Sequence, residues 1–223
     1  MDGNGRWAKN RNLSRIEGHR EGAKTVNKII EASRKHNIKY LTLYAFSTEN
    51  WKRSKEEILG LMSLLKEFLD SNLNKLIENQ IKLRVIGRID DLPLITKLSL
   101  KKAIATTSNF EERMLILALS YGGRSEIVDA VNKIIKDVGT GYIDKNQKIT
   151  EEIFKNYLYA PDIPDPELMI RTSGEFRISN FMLWQLSYSE IWITDTLWPD
   201  FTEDEFSKAI ENYYLRNRRY GAV

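Results

Sequence analysis

The stretch "KYLTLYAFSTENWKR" (residues 39–53) decides how this chain is built. Its first eight residues are mostly aliphatic, aromatic or β-branched, the composition of a buried strand over 39–46. The run then breaks into the polar "STENWKR", and from Lys55 the apolar residues change period. Ile58, Leu61, Met62, Leu65, Phe68, Leu69, Leu73 and Leu76 recur at helical spacing and form one broad face over 55–79. A rod of that length is about 37 Å long. A strand, a polar turn and a long amphipathic helix make the opening of a βαβ unit.

The same alternation continues outward from this unit. "KLRVIG" (82–87), "MLILALS" (114–120), "ELMIR" (167–171) and "EIWIT" (190–194) are further strand candidates. Helix candidates fill 19–36, 94–108, 124–138 and 203–219. The expected fold is therefore α/β, with a mostly parallel central sheet of about six strands and helices on both faces. Residues 1–223 are read as one domain, without internal repeats or low-complexity segments.

Composition narrows the function classes. Lys and Arg number 34 against 31 Asp and Glu, and a net charge of +3 is too small to mark a nucleic-acid binder. The absence of cysteine rules out disulfides, thiolate metal sites and Cys nucleophiles, and fits a reducing cytoplasm. The longest apolar run, "MLILAL" (114–119), is far too short to span a bilayer. The expected location is the cytoplasm, with surface contact to a membrane left open. There is no G-x-x-x-x-G-K-[ST] segment, and "GNGRWA" fails the dinucleotide fingerprint at its third glycine. "DDLPL" (90–94) has no second aspartate pair, so the Mg²⁺ motif of all-helical prenyl synthases is missing.

In open parallel sheets, ligands bind beyond the carboxyl ends of the strands. Polar, glycine- and arginine-bearing stretches collect there: "STENWKR", "YGGR" and "RTSGEFRISNF". "MDGNGR" (1–6) has the same character, and the expectation is that it too is a loop following a strand, one whose other residues lie upstream of Met1. Arg6, Arg15, Arg53, Arg171 and Arg177 offer planar forks for phosphate oxygens. Ser47, Ser173, Ser179, Asn4 and the glycines add neutral donors. Asp2 and Glu190 are carboxylates in cationic company, as a Mg²⁺ ion bridging to diphosphate requires. Taken singly, each feature is ordinary: "GNG" and "YGG" make tight turns, and Arg113, Arg216 and His36 read as surface or structural groups. The signal lies in their convergence.

At these residues the chain resembles the cis-prenyltransferases, through "MDGNGRWA", "GHREGA", "LYAFSTENWKR", "SYGGR", "IRTSGEFRISNFMLWQ", "LWPDF" and the closing "RNRRYG". The resemblance spans residues 1 to 221. It implies a homodimeric, Mg²⁺-dependent transferase that adds isopentenyl diphosphate to an allylic primer such as farnesyl diphosphate. The product would be a long polyprenyl diphosphate, of undecaprenyl type, which serves as lipid carrier for cell-wall glycan. By the same resemblance Asp2 and Asn50 are catalytic, and Asp2 and Glu190 hold the metal. Asn4, Gly5, Arg6, Arg15, His19 and Arg53 match the allylic diphosphate pocket, and Gly3 and Trp7 are further substrate-binding residues. Ser47, Glu49, Asn50 and Trp51 lie in a mobile loop against the substrates. Arg171, Arg177 and Ser179 match the isopentenyl diphosphate pocket, with Arg219 and Gly221 reaching across the dimer. The 55–79 helix would help wall a hydrophobic tunnel for the growing chain, and peripheral membrane contact would serve product release. The chain departs from the family's commonest bacterial pattern at Ser54, Ser120, Glu167 and Ser173, and it ends "YGAV". The alternative is a catalytically silent partner subunit of a heteromeric prenyltransferase, which the presence of Asp2, Arg171, Arg177 and Glu190 disfavours.

Overall fold

The computed structural model describes residues 1–216. Arg219 and Gly221 lie outside the described residues. The elements run α1 (Asn4–Lys9), α2 (Arg15–Lys35), β1 (Tyr40–Ser47), α3 (Lys55–Glu78), β2 (Ile81–Ile86), α4 (Leu94–Thr106), β3 (Arg113–Tyr121), α5 (Gly123–Gly139), α6 (Glu151–Lys155), β4 (Leu168–Arg171), β5 (Glu190–Ile193) and α7 (Glu203–Leu215). β1, β3 and β2 form one parallel ladder in that order, and β4 and β5 form a second parallel pair. Among the described residues there are thus five strands in two ladders, where about six in one sheet were expected.

β3 explains why both faces are covered. Successive strand side chains point to opposite faces, and both sets in β3 are apolar. Leu115, Leu117 and Leu119 enter one core with Val26 and Ile29 of α2, Leu69 and Leu76 of α3, Leu100 of α4 and Phe206 of α7. Ile116 and Ala118 enter a second core with Met182, Phe181 and Tyr159, and Tyr121 joins them because the alternation breaks at Ser120, which has φ 45°. A central strand without a polar face must be sandwiched between two layers. The apolar face of α3 packs into the first core: Met62, Leu69 and Leu76 are buried, and Ile58, Leu61, Leu65, Phe68 and Leu73 are partly buried against it.

"MDGNGR" departs from the expected loop. Gly3 adopts φ 113°, which L side chains rarely reach, and the chain turns there directly into α1. That short helix lies against α2 because Gly18 and Gly22 of "GHREGA" sit one turn apart on the facing side. A Cβ at Gly18 would meet the Asn4 carbonyl at 2.1 Å, and one at Gly22 the Asn4 side chain at 2.2 Å. Met1 lies against β1, its backbone nitrogen 2.7 Å from the Tyr44 carbonyl oxygen.

Candidate active site

Asp2 is fixed from several directions. Its carbonyl oxygen accepts from the Thr172 hydroxyl at 2.8 Å and from the Trp198 backbone N–H at 3.1 Å. Trp198 is itself buried, donating its indole N–H to the Gly22 carbonyl at 2.8 Å. "LWPDF" is therefore a brace that holds the Asp2 turn against α2. The Asp2 carboxylate, about half-exposed, receives Arg171 Nη2 at 2.8 Å and Nε at 3.0 Å. Arg171 ends β4, is almost fully buried, and also donates to the Ser179 hydroxyl at 2.9 Å. A buried guanidinium costs a great deal unless it is paired, and here the Asp2 carboxylate and Ser179 satisfy it.

Beside Asp2 opens a cleft of about 750 Å³. Asp2, Gly3, Asn4, Gly5, Arg6, Arg15, His19 and Arg53 all line it, so the structure brings these expected residues together. Lys9 and Asn12 also contribute to the wall. Trp7 does not line the cleft. Its indole N–H donates to Asp200 at 2.7 Å and Arg11 stacks over its ring at 4.3 Å, so it ties α1 to the Trp198 brace.

Two glutamates organise the cations. Glu57, in the first turn of α3, accepts from Arg53 at 2.7 Å and lies 3.4 Å from Arg15 Nε and 3.8 Å from His19 Nε2. Glu175 pairs with Arg6 at 2.9 Å and also with Arg177, so it joins residues expected in two different pockets. Neither glutamate was legible beforehand: Glu57 follows another acid, Glu56, and Glu175 stands alone in "RTSGEFRISNF" without a pattern to single it out. For Glu57 the signal was spacing, since it stands four residues after Arg53. His19 is mostly buried with its Nε2 unpartnered, and burial, followed by the Arg53 guanidinium, lowers its pKa to about 4. At neutral pH it is an uncharged imidazole facing arginines, a group able to hydrogen-bond an anion without adding charge.

The segment after β1 is a 3₁₀ turn, Thr48–Lys52, held at several points. Asn50 Oδ1 accepts from the Ser47 backbone N–H at 3.1 Å, and Glu49 accepts from Asn180 at 2.8 Å. Trp51 packs edge-on to Phe46 and donates to the Ser120 hydroxyl at 2.8 Å. Ser120 donates in turn to Asp91 at 2.9 Å. Ser54, one of the departures from the family pattern, caps α3 by accepting from the Glu57 N–H at 3.2 Å. Asn180 also accepts from the Arg124 N–H at 2.8 Å, linking the turn to α5 and to the loop that carries Arg177 and Ser179.

Glu190 stands apart from Asp2 within one chain. It opens β5 opposite Leu168, whereas Arg171, which holds Asp2, pairs with Ile193 at the other end of the ladder. Three strand residues, about 10 Å, separate those ends. Glu190 instead accepts from Arg216 at 2.6 Å. A residue that begins a parallel strand lies on the opposite edge from residues that end one. Within one chain Glu190 therefore does not join Asp2. Among the described residues no group of three His, Cys, Asp or Glu could cage a metal. The donor set does suit a cation that draws most of its ligands from diphosphate and water, with one carboxylate, Asp2, from the protein.

The fold and this cleft define a prenyl-transferring α/β enzyme, and comparison with known proteins agrees. The family model described as putative undecaprenyl diphosphate synthase matches residues 1–221. The chain is 50% identical to the isoprenyl transferase of Heliobacterium mobile, over all of this chain and 85% of that protein. Among solved structures, lavandulyl diphosphate synthase from Lavandula x intermedia, in complex with dimethylallyl diphosphate, matches with a TM-score of 0.95 at 36% identity, over 99% of this chain and 95% of that one. A probable undecaprenyl diphosphate synthase from Campylobacter jejuni matches with a TM-score of 0.79 at 37% identity, over 90% and 92%. The chain belongs to the cis-prenyltransferase family of isoprenyl transferases.

Proposed function

We propose that this enzyme extends an allylic diphosphate, farnesyl diphosphate as primer, with isopentenyl diphosphate units into a long polyprenyl diphosphate of undecaprenyl type. The observation that carries the proposal is the placement of Asp2. It sits between a cleft lined by Arg6, Arg15 and Arg53 and the Arg171–Ser179 pair, so two anionic substrates can meet beside one carboxylate. That the lavandulyl enzyme holds dimethylallyl diphosphate supports an allylic diphosphate as ligand of this fold.

Arg6, Arg15, Arg53 and the neutral His19 bind the allylic diphosphate and receive the charge that builds as its C–O bond breaks. Arg171, Arg177 and Ser179 hold isopentenyl diphosphate so that its double bond faces the allylic carbon. The new C–C bond forms there, and a proton leaves the adjacent carbon for the released diphosphate. Holding both substrates in register makes a bimolecular step effectively intramolecular. Asp2 would hold Mg²⁺, which supplies positive charge to the diphosphate oxygens. Asn50 keeps the turn after β1 closed over the site, with Ser47, Glu49 and Trp51 arranged around it. The partly buried apolar side chains of α3 wall the path of the growing chain. We take the working unit to be a homodimer of single-domain subunits, completed by Arg219 and Gly221, acting in the cytoplasm and delivering a carrier lipid for cell-wall glycan.

Incubation with radiolabelled isopentenyl diphosphate, farnesyl diphosphate and Mg²⁺, followed by chromatography of the lipid product, tests this. A label-bearing chain near undecaprenyl length is expected. No incorporation by the chain alone, with incorporation restored by a second subunit, would overturn the proposal in favour of a silent partner.

A further inference from the structure

α4 has an outer face unlike that of an ordinary surface helix. Its inner side is fully packed: Thr96, Leu100, Ala103 and Thr107 are buried. On the opposite side Leu94, Ile95 and Leu98 are 68%, 65% and 57% exposed, and they fall within one arc at 100° per residue. Lys101 and Lys102 project beside these three apolar side chains, and Lys97 flanks them. The helix contains no acidic residue. The helix is thus apolar on its outer face as well as its inner one, and the outer face carries lysines and no acid; apolar side chains edged by lysines suit the boundary of an anionic bilayer.

Position adds a second observation. α4 follows β2 in a parallel sheet, so its first turns, where Leu94, Ile95 and Leu98 lie, stand at the carboxyl edge of the strands. The Asp2 cleft opens on that same edge, since α2, α3 and the Arg171 end of β4 reach it. The exposed acids next to the helix in sequence, Asp90 and Asp91 before it and Glu111 and Glu112 after it, lie beyond its two ends, and the exposed acids of the neighbouring α3 are Glu56, Glu67, Asp70 and Glu78.

We propose that the outer face of α4 docks on an anionic lipid bilayer. Leu94, Ile95 and Leu98 enter the headgroup boundary, and Lys97, Lys101 and Lys102 meet the phosphates. A second copy of the chain is the poorer occupant. Across a two-fold axis the same patch would face itself, bringing the lysines against one another. Charge therefore selects a negative surface. The exposed valines and isoleucine of α5 (Val128, Val131 and Ile135) make a less basic face, because Asp129 and Asp137 share that helix with Arg124, Lys133 and Lys136, whereas α4 carries lysines alone. Docking by α4 stands on the helix itself and does not depend on the enzymatic reaction.

Co-sedimentation with phosphatidylglycerol and phosphatidylcholine vesicles tests the proposal without turnover. The protein should bind phosphatidylglycerol vesicles, release in high salt, and ignore pure phosphatidylcholine. Lys101→Gln with Lys102→Gln should lower the partition constant by about 30-fold, the worth of two lysine contacts near the surface. Leu94→Ser with Leu98→Ser should lower it too, while Val128→Ser with Ile135→Ser should leave it unchanged. All six positions are exposed, and thermal melting confirms that each variant is folded. No binding by the unmodified protein, or equal binding by the α4 variants, would overturn the proposal. A loss of oligomeric mass in those variants would do so as well, since it would assign the face to a second copy.

Discussion

His19 is the most informative group to perturb, because its titration reads the electrostatics of the whole cleft. Burial and Arg53 hold its pKa at about 4, against 6.5 for an unperturbed imidazole. As pH falls, the unfolded chain takes up this proton first, so folding loses stability from pH 6.5 down to about 4. Above 6.5 the full contribution is retained. The separation is about 2.5 pH units at ~1.36 kcal/mol each, so about 3 kcal/mol is at stake. A bound diphosphate would place negative charge against the imidazole, opposing Arg53 and raising the pKa. The chain has only two histidines, so imidazole ¹H–¹⁵N spectra of the protein and of His36→Gln assign His19 directly. The free protein should show a resonance that stays neutral to below pH 5 and titrates upward after inorganic diphosphate is added. Denaturant midpoints measured in parallel should lose less between pH 6.5 and 4 in His19→Gln than in the unmodified protein. A His19 that titrates near 6.5 in the free protein, or that ignores diphosphate, would refute the account of the cleft.

Further perturbations separate the parts of the site. Glu57→Gln removes the charge of the acceptor shared by Arg53 and Arg15; loss of such charge assistance should raise the allylic KM about tenfold or more and leave the isopentenyl KM nearly constant. Arg177→Ala should do the reverse, and equal effects on both substrates would show that the two pockets are confused. Ser173 is buried at φ 77° with its hydroxyl unpartnered. Ser173→Gly removes the strained φ and the unmet hydroxyl, offset in part by glycine's greater unfolded freedom. A net gain of about 1 kcal/mol should raise Tm by ~2–4 °C, as calorimetry would show.

Much of this architecture was visible in the pattern of apolar residues. The five strand runs match β1 to β5 within one or two residues, and the period change after Arg53 marks α3, because both faces of the sheet and one face of each helix must be buried. α1 was not visible: its six residues have no apolar period, and it is stabilised by packing on Gly18 and Gly22 rather than by its own composition. The basic side of the cleft was legible because arginines next to glycine-bearing turns have few structural uses. The acidic side was not, since Glu57 differs from the adjacent Glu56 only in what it touches, and Glu175 carries no pattern that marks it. The separation of Glu190 from Asp2 within one chain was not visible, because strand ends and strand starts look alike in composition while topology sends them to opposite edges. Ser54 and Ser120 look like departures in sequence and become an N-cap and a link between Trp51 and Asp91 in the fold.

The central claim is that chemistry occurs beside Asp2, and one substitution addresses it. Asp2→Ala removes a half-exposed carboxylate and leaves the buried Arg171 with Ser179 alone, at a cost in stability, while the backbone contacts to Thr172 and Trp198 that hold the turn remain available. Single-turnover incorporation of labelled isopentenyl diphosphate into primer, at saturating substrates and Mg²⁺, should fall by several orders of magnitude, with the circular dichroism spectrum unchanged. Incorporation at near the unmodified rate by a folded Asp2→Ala protein would contradict the account.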